Sequence, residues 1–136
     1  MAQTQNNVPA TGGAQGGAWQ QNPPRRVVVL NAMPLNALPR RHMQLDVIPV
    51  SMTDLVQWVQ RRLQEGFQLV HYIRHPATIA ALRAAGIPLS DQPNSGLYQY
   101  DAGDIIVVVT LRAPQRGQEQ QQVSPQDLEA WVVAVV

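Results

Sequence analysis

Three histidines, ten arginines and nine carboxylates are the groups in this 136-residue chain with chemistry to offer. There is no cysteine, which removes disulfides, zinc–thiolate sites and thiol catalysis together. His71 and His75 stand four residues apart in FQLVHYIRH, an apolar run that reads as a buried strand. Along a strand they would be roughly 13 Å apart, at about 3.3 Å per residue, too far for one metal ion. His42 stands alone. No metal site and no cofactor is expected, and the HExxH, Gly-Lys-Ser/Thr, GxGxxG and GxSxG motifs are all missing.

His75 is the most informative residue. It falls where the predicted strand gives way to PATIAALRAAG (76–86), which reads as a helix with Pro76 pre-organised for its first turn. The first N–H groups of a helix lack internal partners and carry the positive end of the dipole, so a phosphate fits there. A histidine beside a bound phosphate is a natural general acid or base for phosphodiester chemistry. A histidine that merely caps the helix would occupy the same position, and spacing does not choose between the two. The polar loop APQRGQEQQQVS (113–124) places Arg116 and Glu119 three residues apart, with Arg112 just before it. An arginine fork can clamp a phosphate, and a carboxylate can orient a hydroxyl or a histidine. Ordinary solvated charges would look the same on spacing alone.

The elements that must hold these residues follow from periodicity. RVVVLNA (26–32) and DIIVVVTLR (104–112) are β-branched runs that read as buried strands. MQLDVIPV (43–50) reads as a strand closed by Pro49, and AWVVAVV (130–136) as a last strand. Helix 51–66 has an apolar stripe of Met52, Leu55, Val56, Val59 and Leu63, a Ser51/Asp54 cap and Gly66 at its end. GLYQYDAGD (96–104) is read as a short strand and a tight turn, and SPQDLEAW (124–131) as one capped helical turn. Strands alternating with helices predict an α/β fold. We expect a single small domain, 25–136, with a mixed, mostly five-stranded sheet flanked by helices. Residues 1–24 contain no charge and no apolar periodicity, and are expected to form a flexible, disordered Gln/Asn/Gly-rich tail. Arg25-Arg26, at the junction, reads as a solubilising pair at a strand edge.

Charge excludes other classes. All ten basic residues are arginine, eighteen residues are glutamine, and the net charge is +1. Over 27–136, eight arginines face nine acids, a net of −1. A duplex binder carries a basic stripe, so no duplex DNA is expected as partner. No apolar run approaches the roughly 18 residues of a membrane span, and no basic-then-apolar leader opens the chain. A cysteine-free chain fits a reducing cytosol, and a cytoplasmic location is expected.

Taken in order, VVVLNAMPLNALP (27–39), RHPAT (74–78), AGD (102–104), IIVVV and an RGQE loop followed by VSPQDLEAW resemble the viral ring nucleases. These are small homodimeric α/β anti-CRISPR proteins that degrade cyclic tetra-adenylate, the second messenger of type III immunity. The resemblance covers about 26–136. It implies catalytic roles for His75, Arg116 and Glu119, with Arg112 as the rival arginine, and ligand-binding roles for Asn31, Asn36 and Thr78. It implies a metal-independent ring nuclease, working as a homodimer in the host cytoplasm, with products ending in a 2′,3′-cyclic phosphate. The chain departs from the family pattern at Arg74, where glycine is common, at Pro76, and at Ser95, where a basic residue is usual. Matching Arg116 and Glu119 also requires about two inserted residues. The rival functions are a non-catalytic cyclic-nucleotide binder, acting as sponge or sensor, and a viral module that binds nucleic acid or protein.

Overall fold

The two most β-branched segments form the centre of the sheet. In a computed structural model, which describes residues 25–112 and 123–136, they are β1 (Arg26–Leu30) and β4 (Ile105–Leu111). With β2 (Leu45–Val50), β3 (Gln68–His71) and β5 (Leu128–Val135) they make a five-stranded sheet in the order β2-β5-β4-β1-β3. β1 is parallel to β3 on one side and to β4 on the other, while β5 is antiparallel to β4 and β2. A strand buried on both faces must be apolar at every position, which is why these runs do not alternate.

The sheet separates two apolar clusters. Val27, Val29, Val107 and Val109 pack against Leu55 and Val59 of α1 (Met52–Gln64) and Ile79 and Leu82 of α2 (Pro76–Ala85). Val28, Leu30, Ile106 and Val108 face the other way, onto Ala37, Tyr98 and Val133. Both α-helices therefore lie on one face. A single 3-10 turn, Leu35–Ala37, and the 97–100 segment close the opposite face. Among the described residues no helix is long and apolar enough to cross a membrane.

The helix ends obey the expected chemistry. The Ser51 hydroxyl accepts from the Asp54 N–H at 3.1 Å, and Gly66 beyond α1 has φ +97°. Gly86 closes α2 at φ +116°, where a Cβ would lie 2.9 Å from Val56 and 3.1 Å from Gln60 of α1. A side chain there would meet both a hostile backbone angle and α1 itself.

Four expectations change. The 96–101 strand does not form. Its backbone makes one cross-chain bond, Tyr100 N–H to the Ala37 carbonyl, and Tyr98 and Tyr100 are spent covering the sheet instead of extending it. β3 stops at His71, not at the histidine four residues on. Pro49 does not close β2 but lies within it, opposite Trp131, which an outer strand tolerates because one side of it needs no donors. Arg26 is not a solubilising residue. Its guanidinium is clamped on Asp104, Nε at 2.9 Å and Nη2 at 2.6 Å, and that carboxylate also accepts from Tyr98 Oη at 2.7 Å and the Asp101 N–H at 3.1 Å. Burial pushes the Asp104 carboxyl up, but the bonds from Arg26 and Tyr98 outweigh it and hold it below the usual range. Burial and the bond to Asp104 push the Tyr98 hydroxyl well above its ordinary value.

Candidate active site at the carboxyl edge

β1, β3 and β4 run parallel, so their carboxyl ends share one edge of the sheet. In open α/β sheets ligands bind outside that edge. Asn31 follows β1 directly, the segment leading to His75 follows β3, and Arg112 follows β4. The fold thus brings three of the sequence-predicted residues to one edge, each from a different strand. Asn31 and His75 are exposed there. Asn36 is exposed on the 3-10 turn that covers the opposite face from the helices. Among the described residues no hydrogen bond joins Asn31, Asn36 or Arg112 to His75.

His75 is the N-cap residue of α2, but its ring does not cap the backbone. Its Nδ1 lies 2.8 Å from Thr78 Oγ1, one helical turn on. Thr78 is 6% exposed, so its hydroxyl is committed to the ring and not to the surface. Among the described residues Nε2 has no partner. The helix terminus offers fewer donors than a generic one. Pro76 has no N–H, and Thr78 N–H already bonds the His75 carbonyl at 3.1 Å, which leaves Ala77 N–H as the free first-turn donor among the described residues.

Arg74 is a cation that spacing did not single out. It is exposed, directly before His75, and its Nη2 donates to the Gly96 carbonyl at 3.2 Å. The one signal for it was its unusual place ahead of the histidine. Arg112 is turned the other way. Its guanidinium lies 3.7 Å from the Glu129 carboxylate of β5, and its N–H bonds the Asp127 carbonyl. Arg116 and Glu119 lie outside the described residues. Arg112 follows β4, and Val123 lines a groove with Ala77 and Ala80 of α2.

The second histidine of the pair is structural. His71 is 2% exposed; its Nε2 donates to the Ser90 carbonyl at 2.9 Å and its Nδ1 accepts from the Ile73 N–H at 3.3 Å. Both ring nitrogens are used, as in a neutral imidazole that ties β3 to the 87–95 segment.

These features define a small α/β domain with a histidine at a helix start on the carboxyl edge. A solved structure with this fold is B116 of Sulfolobus turreted icosahedral virus. It is 20% identical in sequence, with a TM-score of 0.63 over 79% of this chain and 97% of that one. The likeness is one of fold. No protein family and no curated protein matches the sequence.

Proposed function

We propose that the protein is a metal-independent ring nuclease that opens cyclic tetra-adenylate and so counters type III CRISPR immunity. The observation that carries this reading is His75. It stands at the carboxyl edge on the first turn of α2, with Nδ1 engaged by Thr78 and Nε2 open. The likeness in fold to a viral protein and the order of motifs along the chain support it.

The chemistry needs no group beyond the substrate, the chain and water. The ribose 2′-hydroxyl loses its proton to solvent as its oxygen forms a bond to the adjacent phosphorus, and the bond from phosphorus to O5′ breaks. The product has a 2′,3′-cyclic phosphate and a free 5′-hydroxyl. Nucleophile and electrophile belong to one molecule, so alignment supplies much of the acceleration. The doubly protonated His75 ring gives its Nε2 proton to the departing O5′ and is left neutral. The Ala77 N–H and Arg116 stabilise the charge that grows on the phosphoryl oxygens. Glu119 orients the 2′-hydroxyl, Asn31 and Asn36 hold the ribose and base, and Arg112 serves from beside the site. A ligand with near two-fold symmetry calls for two copies of the chain related by a two-fold axis.

The test is product analysis after incubation with cyclic tetra-adenylate in excess EDTA. Linear products ending in 2′,3′-cyclic phosphate are expected, and His75→Ala slows single turnover by roughly 10²–10⁴-fold, the usual worth of a general acid. Tight binding with no products assigns the protein to the class of cyclic-nucleotide sponges. Neither binding nor products overturns both.

A further inference from the structure

The geometry points to Thr78 as the positioning residue for His75, holding the ring through Nδ1 so that the resting neutral ring carries its proton on Nε2. This rests on the reading of His75 as the proton donor. The resemblance gave Thr78 only a ligand-binding part. Its burial, at 6% exposure, and its 2.8 Å approach to Nδ1 give it a different one.

A hydroxyl has one proton to donate and two lone pairs. Among the described residues the partner of Thr78 Oγ1 is His75 Nδ1. A buried hydroxyl proton left without an acceptor is costly, whereas a lone pair left over is cheap. The satisfied arrangement has Thr78 O–H donating to Nδ1. That places the ring's single proton on Nε2, the nitrogen without a partner among the described residues. When the ring takes a second proton, the hydroxyl turns and accepts from Nδ1–H, and the Nε2 proton is kept. After Nε2 gives its proton to O5′, the same oxygen still holds Nδ1–H. One side chain thus keeps the ring in place through every protonation state of the cycle. Neighbouring elements support this. α2 contributes no charged group in its first turn. Arg74 directs its guanidinium to Gly96, so no other described side chain competes for Nδ1.

The full chain, labelled with ¹⁵N-histidine, decides the assignment by the nitrogen shifts and proton couplings of the neutral imidazole. His75→Ala identifies the His75 signals apart from those of His42 and His71. Wild type is expected to show protonated Nε2 and bare Nδ1, Thr78→Ser the same pattern, and Thr78→Val a mixture of tautomers. A wild-type ring protonated on Nδ1, or a Thr78→Val spectrum identical to wild type, overturns the assignment. In single-turnover cleavage, Thr78→Val is expected to lose about tenfold and Thr78→Ser to stay within about threefold of wild type. Adding Thr78→Val to His75→Ala should cost nothing more, because groups acting as one unit are non-additive. Equal rates for wild type and Thr78→Val also overturn it. If wild type fails to cleave, the proposed activity falls, while the imidazole spectra still decide the role of Thr78.

Discussion

Asp104 is the buried acceptor on which the amino edge of the sheet depends, and Asp104→Asn is the change that probes it. The carboxylate takes four hydrogen bonds, two from Arg26, one from Tyr98 and one from the Asp101 N–H. The amide keeps the size and one acceptor oxygen, but its NH₂ must face donors on Arg26 or Tyr98. Hydrogen bonds to charged groups contribute about 1.5–3 kcal/mol each, and removing one partner of a buried pair costs about 3–5 kcal/mol. The Arg26 side chain is 20% exposed and Asp101, 81% exposed, stands 3.5 Å away as a second carboxylate, so some of the loss is relieved. The lower end applies, about 3 kcal/mol, which lowers the thermal midpoint by roughly 10–25 °C for a domain of this size. Urea titration at pH 7 measures it, and a loss under about 1 kcal/mol refutes the argument. The pH dependence has a definite sign. The folded-state pKa of Asp104 is depressed, so the unfolded chain binds the proton first. The carboxylate's contribution is full above its ordinary pKa near 3.9 and is lost as pH falls through the folded value. The gap between wild type and Asp104→Asn should therefore narrow below about pH 4. A gap that stays constant into strong acid rules out the carboxylate as its source.

Single-turnover cleavage separates the two arginine assignments: Arg116→Ala and Glu119→Gln should slow the reaction, Arg112→Ala much less, and a larger loss at Arg112 reverses the alignment of the loop. Arg112 is already paired with Glu129, which is why little is expected there. Gly86→Ala should destabilise the fold by about 1–3 kcal/mol, the usual cost of a forced backbone angle, because φ is +116° and a Cβ would lie 2.9 Å from Val56; denaturation curves unchanged from wild type contradict this. Deleting residues 1–24 should leave melting and cleavage intact, and a midpoint lowered by more than about 5 °C, roughly 1 kcal/mol, shows that this segment contributes to the fold.

The central strands were legible because burial on both faces leaves a signature, the unbroken runs at Val27–Leu30 and Ile105–Val109. The helices were legible from Ser51 and Gly66 at the ends of one and Pro76 and Gly86 at the ends of the other. What the sequence hid is what depends on distant partners. Tyr98 and Tyr100 alternate like a strand, but among the described residues no neighbouring strand pairs with them, and the alternation serves to cover the sheet. Arg26 looks like any terminal arginine until the fold brings Asp104 to it from the far side of the chain. At the site, the position of His75 could be read from the strand–helix junction, because Pro76 fixes where α2 begins. The burial of Thr78, the inward use of His71 and the pairing of Arg112 could not, because each is set by an element remote in sequence.

The strand order also governs how the chain reaches its fold. β1 is the first strand in sequence, yet its neighbours are β3 and β4, and β2 finds its partner only in β5, with Val47 beside Val133. Among the described residues no strand pairs with the next strand along the chain except β4 with β5. Contacts so distant in sequence fold slowly, because the loops between them must close before any ladder rewards the closure. On a ribosome, β1 waits without a partner until β3 has emerged, and its second side stays open until β4 follows. The valine-rich run of β1 is therefore left unpaired in a growing chain, where exposed strands invite aggregation. The helices, whose bonds are local, cover that run on one face in the folded domain. Expression at lower temperature, where synthesis is slower, should raise the soluble yield more for this topology than for a sheet built of consecutive hairpins.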